Sequence, residues 1–380
     1  MPLPFRGPPG FLRRRSFRDV LVMPIEAFHQ GAMFRGGPLW PSYGLQLRAR
    51  TGRGWLPFPR DAASAPAAPA SELASATWVG PVSHHFGHAV ADFGMRLAAS
   101  AHADPSQPLL FAVSAIDPPE PPAFFWQILA HLNVDPARVV LAREPVLVRE
   151  LHVFPQAERR GGPAPDPAYL DYLDAVAAPA PPADSPARVY VSRARLQSHN
   201  RHFTVGQLAG EAYLERLLAS SGVAVVHPEE ITVAEQMALY RGARLLLFAE
   251  GSALHGLQLL GRVGADVAVI NRRRGSRIAA SSLKPRARSL SYILAIRGVI
   301  HGLMPDGRPD RVRGIAVLEP SRLTRELARL GLDLAPAWDR DAYLAQRDRD
   351  IEAWIAATVA RNLHPGARAA IEAGLAKLVR

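Results

Sequence analysis

The sequence contains no cysteine, and its only lysines are Lys284 and Lys377. Without cysteine there is no disulfide framework, no thiolate metal site and no cysteine nucleophile, a pattern that fits a reducing cytoplasm. The motif G-x-x-x-x-G-K-[ST] is missing, which argues against a P-loop ATPase or kinase. H-E-x-x-H and G-x-S-x-G are missing too, so neither a zincin nor an α/β-hydrolase nucleophile elbow is written here. No zinc-finger, RRM or KH pattern is found, and nucleic acid is not an expected partner. Long apolar runs are absent as well. Arg13, Arg14 and Arg15 follow Phe11 and Leu12 with no signal-peptide core or membrane span behind them. The expectation is a soluble cytoplasmic protein whose N-terminal arginines leave peripheral association with the inner membrane open.

What the chain does have is globular: 48% hydrophobic and 21% charged residues over 380 positions, enough for two domains. The net charge is +11 and almost entirely arginine, alongside abundant alanine and proline. That combination reads as a compositional bias, so the charge is a weak guide to function. A basic surface would still favour nucleotides, anionic glycans or lipid headgroups.

Residues 1–76 are rich in Pro, Gly and Arg and read as an irregular N-terminal segment, with short strands near Val20–Met23 and Leu45–Leu47 and a loop from Ala62 to Ala76. From residue 77 strand-like and helix-like stretches alternate. Thr77–Val79, Leu109–Val113, Arg138–Ala142 and Leu147–Phe154 read as strands; a run from the polar cluster Ser83–His88 to Ala99 and Phe124–Leu132 read as helices. Residues 155–187 are Pro/Ala/Gly-rich, with a short helix at Tyr169–Val176, and are the candidate interdomain connection. The second half repeats βα units: strands Arg188–Ser192, Val223–Val226, Leu245–Phe248, Val267–Ile270 and Tyr292–Ile296, with helices Gln207–Ser220, Thr232–Tyr240 and Ser252–Leu260. This is the pattern of a Rossmann-like parallel sheet. A helix over Asp348–Leu363, with Ile351, Trp354, Ile355, Val359 and Leu363 on one face, ends at His364-Pro365-Gly366. The expected division is 1–76, an N-terminal α/β domain at 77–180, a second at 187–300 and a helical tail at 301–380.

Four constellations could carry chemistry. In His84-His85-Phe86-Gly87-His88, followed by Asp92, the residues His85, His88 and Asp92 share one face if the segment is helical. Imidazole suits the removal of a hydroxyl proton, and a carboxylate one turn away would orient the ring. The same cluster could instead hold a metal, or simply cap and pack a helix start. Arg193 and Arg195 follow the strand Val189–Val191, at the carboxyl edge where ligands of doubly wound sheets bind, and their forks suit diphosphate oxygens; a solvated surface pair is the alternative. Thr232 and Glu235 spell a capping box that needs no ligand, though Glu235 or Gln236 could also face a sugar or ribose. Finally, the apolar strand ending at Ala249 runs into Glu250-Gly251-Ser252 and a helix carrying His255. Gly251 would admit phosphates closely and the helix start would favour an anion, or Ser252 is merely an N-cap.

In this order, His84–Asp92, Tyr190–Arg195, Pro228–Gln236 and Glu250–His255 resemble the glycosyltransferase family 61 proteins, the DUF563 group that includes bacterial capsular-polysaccharide enzymes, over about residues 77–272. The resemblance implies a GT-B fold, with two Rossmann-like domains facing across a cleft, and an inverting transfer that needs no bound cofactor or metal. It implies a nucleotide-sugar donor, with uridine diphosphate as a first candidate, and a glycan or glycolipid acceptor. By resemblance His85, His88 and Asp92 serve acceptor and base, while Arg193, Arg195, Glu235, Gln236, Gly251, Ser252 and His255 hold the donor. One departure is plain: many relatives carry a histidine before the glycine of the fourth motif, and here Glu250 stands there, with His255 four residues after Gly251. The competing expectations are a metal-dependent hydrolase built on His85, His88 and Asp92, and a non-catalytic nucleotide- or carbohydrate-binding relative.

Overall fold

The computed structural model describes residues 9–27, 35–53, 56–58, 68–114, 120–177, 184–199, 205–361 and 364–378. Leu363, and the parts of the two expected loops at 62–67 and 178–183, lie outside them. The chain divides into two compact units. The first comprises Met1–Ala180, Leu254–Val263 and Ala279–Arg286; the second comprises Pro181–Ala253, Gly264–Ile278 and Ala287–Arg380. Both are α/β, with parallel strands at their centre.

The first unit is built on a six-stranded sheet in the order Arg35–Pro38, Arg15–Ala27, Val146–Val153, Ser71–Pro81, Leu109–Ala112, Val139–Ala142. The last four are mutually parallel, and Arg15–Ala27 joins them antiparallel to Val146–Val153. The strand expected near Val20–Met23 in the N-terminal segment is present and longer, running Arg15–Ala27. Phe17, Val20, Val22 and Ile25 bury their side chains with Trp78, Leu110 and Val148, and that burial holds a 13-residue strand in the sheet. The loop expected up to Ala76 likewise ends earlier, because Ser71–Pro81 is a strand whose second half is buried. In the other direction, Leu45–Leu47 is no strand: a 3-10 turn spans Tyr43–Leu45, and Leu45 and Leu47 face solvent, so no apolar face holds them in a sheet.

The second unit carries a five-stranded, wholly parallel sheet in the order Ala224–Val226, Arg188–Val191, Leu245–Ala249, Asp266–Ile270, Ser289–Ile293. Numbered along the chain this is 2-1-3-4-5, a doubly wound order whose topological switch point falls between Arg188–Val191 and Leu245–Ala249. Leu245–Ala249 is apolar throughout and buried throughout, as a central parallel strand requires. Its preceding helix, Val233–Gly242, starts on the expected capping box, with both Thr232–Glu235 bonds made.

Two differences here have simple causes. The expected helix from Gln207 begins only at Glu211. Gly210 is left-handed (φ 82°) and separates it from a short strand, Gln207–Ala209, which pairs with Ile315–Leu318. The region 301–380, expected to be helical, contributes that partner strand. Ile315–Leu318 is an unbroken buried apolar run inside a three-stranded sheet that Ile296–Ile300 completes. Helix Arg340–Arg361 then packs Ile351, Trp354, Ile355 and Val359 with Ile315 and Val317, the face expected of it.

Candidate active site

In the first unit, the strand Ser71–Pro81 delivers the chain to Ser83, whose hydroxyl accepts the backbone N–H of His85 (3.2 Å). His85 caps the next turn: its Nδ1 accepts the His88 N–H at 3.3 Å, and the two rings pack with centroids 4.5 Å apart. The expected continuous helix is instead a sequence of windings, with an α turn at Phe86–His88, a π turn at Ala89–Phe93, a 3-10 turn at Gly94–Arg96 and an α-helix at Leu97–His102. Gly94 admits the wide turn, since a Cβ there would stand 2.7 Å from the Ala89 carbonyl oxygen. Single π turns of this kind often mark functional sites.

The winding brings His88 Nδ1 to 2.6 Å from Asp92 Oδ2. Asp92 is sealed, with 3% of its side chain exposed, while His88 keeps 23%. Arg160 Nη1 stands 4.0 Å from the same carboxylate oxygen, and Gln156 holds the Asp92 backbone carbonyl. Asp92 therefore accepts a hydrogen bond from the Nδ1–H of His88, and Nε2 is the nitrogen left to accept a proton. The two residues bond each other rather than converge on a common point. Among the described residues no group of three or more His, Cys, Asp or Glu side chains is arranged to hold a metal ion.

His255 belongs to this unit, not to the second, where it was expected to touch a donor. The chain passes between the units after Ala253, inside the 3-10 segment Ser252–Leu259. That segment was expected as an α-helix. Every residue from Leu254 to Leu259 is buried, so it has no solvent face to set an α-helical stripe. His255 Nδ1 lies 2.7 Å from Gln258 Oε1, and Gln258 Nε2 donates to Glu158 (3.2 Å). Arg286 in turn forks onto Glu158, with Nη1 at 3.1 Å and Nη2 on the other oxygen. The carboxylate fixes the amide's orientation, and the amide fixes the imidazole: His255 donates from Nδ1 and keeps its lone pair on Nε2. Burial pushes its pKa down to about 4, against the Gln258 bond, which favours the charged form. Arg160 and His88 push the same way as burial, and Asp92 opposes them.

In the second unit, the switch point places Ser192-Arg193 beside Glu250-Gly251. Arg193 is partly buried and lies against Gly251, where a Cβ would overlap its Nη1; its Nη2 donates to the Gly206 carbonyl at 3.1 Å. Glu211 is buried beneath it. Its Oε1 accepts from Tyr190 Oη, Ser192 Oγ and the Arg193 N–H at 2.8, 3.0 and 2.8 Å. Burial raises this carboxyl to about 6, against those bonds and the Arg193 charge. Glu250 is fully buried and accepts from the Arg272 and Arg273 N–H groups, Arg273 Nε and Ser276 Oγ. Burial pulls its pKa upward, but Arg273, Ser276 and the two backbone donors together outweigh burial and hold it below the ordinary value.

The remaining candidates divide. Arg195 is exposed and forks onto Glu230 (3.1 and 2.8 Å). Glu235 is spent on its own cap, accepting from Thr232 N and Oγ1. Gln236 is buried, its Nε2 donating to the Pro228 carbonyl at 3.0 Å. Ser252 is partly buried at the start of the 3-10 segment. The sequence reading passed over Arg160, Gln258, Glu158, Glu211 and Arg272. For Arg272 a signal existed: Asn271-Arg272-Arg273-Arg274 follows an apolar strand just as Arg193 and Arg195 do.

The second unit's parallel sheet thus carries an arginine at its switch point, and the first unit carries a carboxylate-backed histidine. A sequence model of the family described as Glycosyltransferase 61 matches residues 86–261, which include His88, Asp92, Arg193, Gly251 and His255. Residues 86–261 are thus similar to a glycosyltransferase 61 domain, which supports a glycosyltransferase enzyme. A search of curated proteins finds no match.

Proposed function

We propose that this glycosyltransferase is an inverting enzyme of the GT-B class. It moves a sugar from a nucleoside-diphosphate donor to a hydroxyl of a cell-surface polysaccharide or glycolipid precursor. The observation that carries the reading is the His88–Asp92 pair, because direct displacement at an anomeric carbon calls for one base on the incoming hydroxyl. The hydroxyl oxygen bonds to the anomeric carbon as the bond from that carbon to the diphosphate oxygen breaks. His88 Nε2 takes the hydroxyl proton, and Asp92 stabilises the imidazolium. The nucleoside diphosphate leaves with the bonding electrons, and Arg193 offsets the charge that builds on it. His85 supports the ring of His88, and the buried neutral His255 adds a lone-pair nitrogen to the same unit without adding charge.

The test is thermal unfolding of the full chain against a panel of nucleosides, nucleotides and nucleotide sugars. A ligand that binds only the native state raises the unfolding temperature by mass action. The reading expects a shift with one nucleoside diphosphate and its sugars, and its loss in Arg193→Ala. A panel in which no nucleotide stabilises the wild-type protein overturns it.

A further inference from the structure

Three adjacent parallel strands of the second unit end in a matching row. Two residues beyond Val191 stands Arg193, two beyond Ala249 stands Gly251, and two beyond Ile270 stands Arg272. Ala249 pairs with Ile270, which sets Gly251 level with Arg272, and Val191 pairs with Phe248, which sets Arg193 one residue short of Gly251 on the neighbouring strand. The carboxyl edge thus presents arginine, glycine, arginine, with the one residue lacking a side chain in the middle.

The two guanidinium groups also converge on one backbone position. Arg193 Nη2 donates to the carbonyl of Gly206, and Arg272 occupies the space where a Cβ on Gly206 would sit. Arg272 is 4% exposed and donates from Nη1 to the Val312 carbonyl (2.8 Å). The Nε of each arginine is buried without a hydrogen-bond partner. Burial draws both below the ordinary arginine value, Arg272 to about 9, and the charge of Arg193 adds to the shift in Arg272. Of the carboxylates that act on them, Glu211 Oε1 holds three donors and Glu250 holds four, while Glu229 acts on Arg193 through its charge. One buried and one partly buried guanidinium, each with an unpartnered Nε and meeting at one backbone position, suit an anion with several oxygens.

Resting on the nucleotide-sugar reading above, we propose that Arg272 and Arg193 form a two-arginine clamp for the donor's diphosphate across Gly251, with Glu250 as the positioning residue that anchors the backbone of Arg272 and Arg273. Two guanidinium groups side by side offer more N–H donors than a single phosphate group takes up, which favours two linked phosphates. Glu250 then serves the donor indirectly by fixing the turn after Ile270. The clamp makes no demand on the nucleoside base.

Calorimetric titration of the full chain with inorganic pyrophosphate, orthophosphate, UDP and UMP tests this. The wild-type protein is expected to bind pyrophosphate at least about tenfold more tightly than orthophosphate, a preference near 1.4 kcal/mol. Arg272→Met should lose that preference and weaken UDP about tenfold or more, with UMP changed far less. Glu250→Gln should weaken UDP in the same direction. If Arg272→Met does not fold, Arg272→Lys keeps the charge without the planar fork and should weaken pyrophosphate and UDP severalfold. Pyrophosphate and UDP binding unchanged in the Arg272 variant that folds, or UDP binding in a wild-type protein indifferent to pyrophosphate, overturns the clamp and leaves the transferase reading standing. A wild-type protein that binds no nucleoside diphosphate overturns both.

Discussion

His88 Nδ1 and Asp92 Oδ2 stand 2.6 Å apart, and the carboxylate in this pair is far better shielded from water than the ring. A charge held out of water acts strongly on its neighbour, so Asp92 should stabilise the imidazolium form of His88 during transfer. Asp92→Asn keeps the shape and an acceptor oxygen but removes the charge. It is expected to lower kcat by roughly 10²-fold or more while the donor KM stays close to wild type. Steady-state kinetics with donor and acceptor varied separately measure both. A kcat within a few-fold of wild type would take the pair out of the chemistry.

Gly251 reports on Arg193 without touching it chemically. Its φ is not left-handed, so alanine is acceptable to the backbone, yet the new methyl would overlap the guanidinium. Gly251→Ala should therefore fold and displace Arg193, weakening a nucleoside diphosphate by about tenfold, roughly 1.4 kcal/mol. Calorimetric titration checks it. Undiminished affinity in a folded Gly251→Ala protein would mean that Arg193 does not hold the donor.

Two buried groups give the native state opposing responses to pH. Glu211, raised from 4.5 to about 6, keeps a proton that the unfolded chain has already released. Its contribution is complete below about 4.5 and is lost as pH rises through about 6, on the order of 2 kcal/mol. His255, lowered from 6.5 to about 4, refuses a proton that the unfolded chain accepts. Its contribution is complete above about 6.5 and is lost as pH falls through about 4, on the order of 3 kcal/mol. Urea unfolding between pH 4 and 7 should show Glu211→Gln with a steeper gain in stability as pH rises, and His255→Asn with a shallower one. Glutamine suits the test because all three donors to Glu211 meet a single oxygen, which an amide retains. Parallel pH profiles for the three proteins would contradict the assignment.

The second unit was largely legible because its signals are local. Leu245–Ala249 is apolar on both faces, and Thr232–Glu235 spells its cap within four residues. Spacing alone also placed His88 and Asp92 together. Arg15–Ala27 was less legible: Arg18, Asp19 and Pro24 interrupt its alternation, and its partner Val146–Val153 is far along the chain. Leu208 fitted the helical spacing of Leu214 and Leu218, and only the left-handed Gly210 separates it into a strand. His255 was read with Gly251 because the two are near in sequence, whereas the chain changes unit between them. Glu158 and Arg286 could not be paired from spacing, being 128 residues apart.

That last pair governs the order in which the molecule can be made. Glu158 is buried in the first unit, and its counterion arrives only with Arg286. At a synthesis rate of about 5–20 residues per second, the 128 residues between them take roughly 6–25 s to emerge. By then four of the five strands of the second sheet have been made. The nascent first unit therefore waits with a carboxylate that it cannot yet bury. A chain cut at Ala180 would lack Arg286 and leave Glu158 without that counterion.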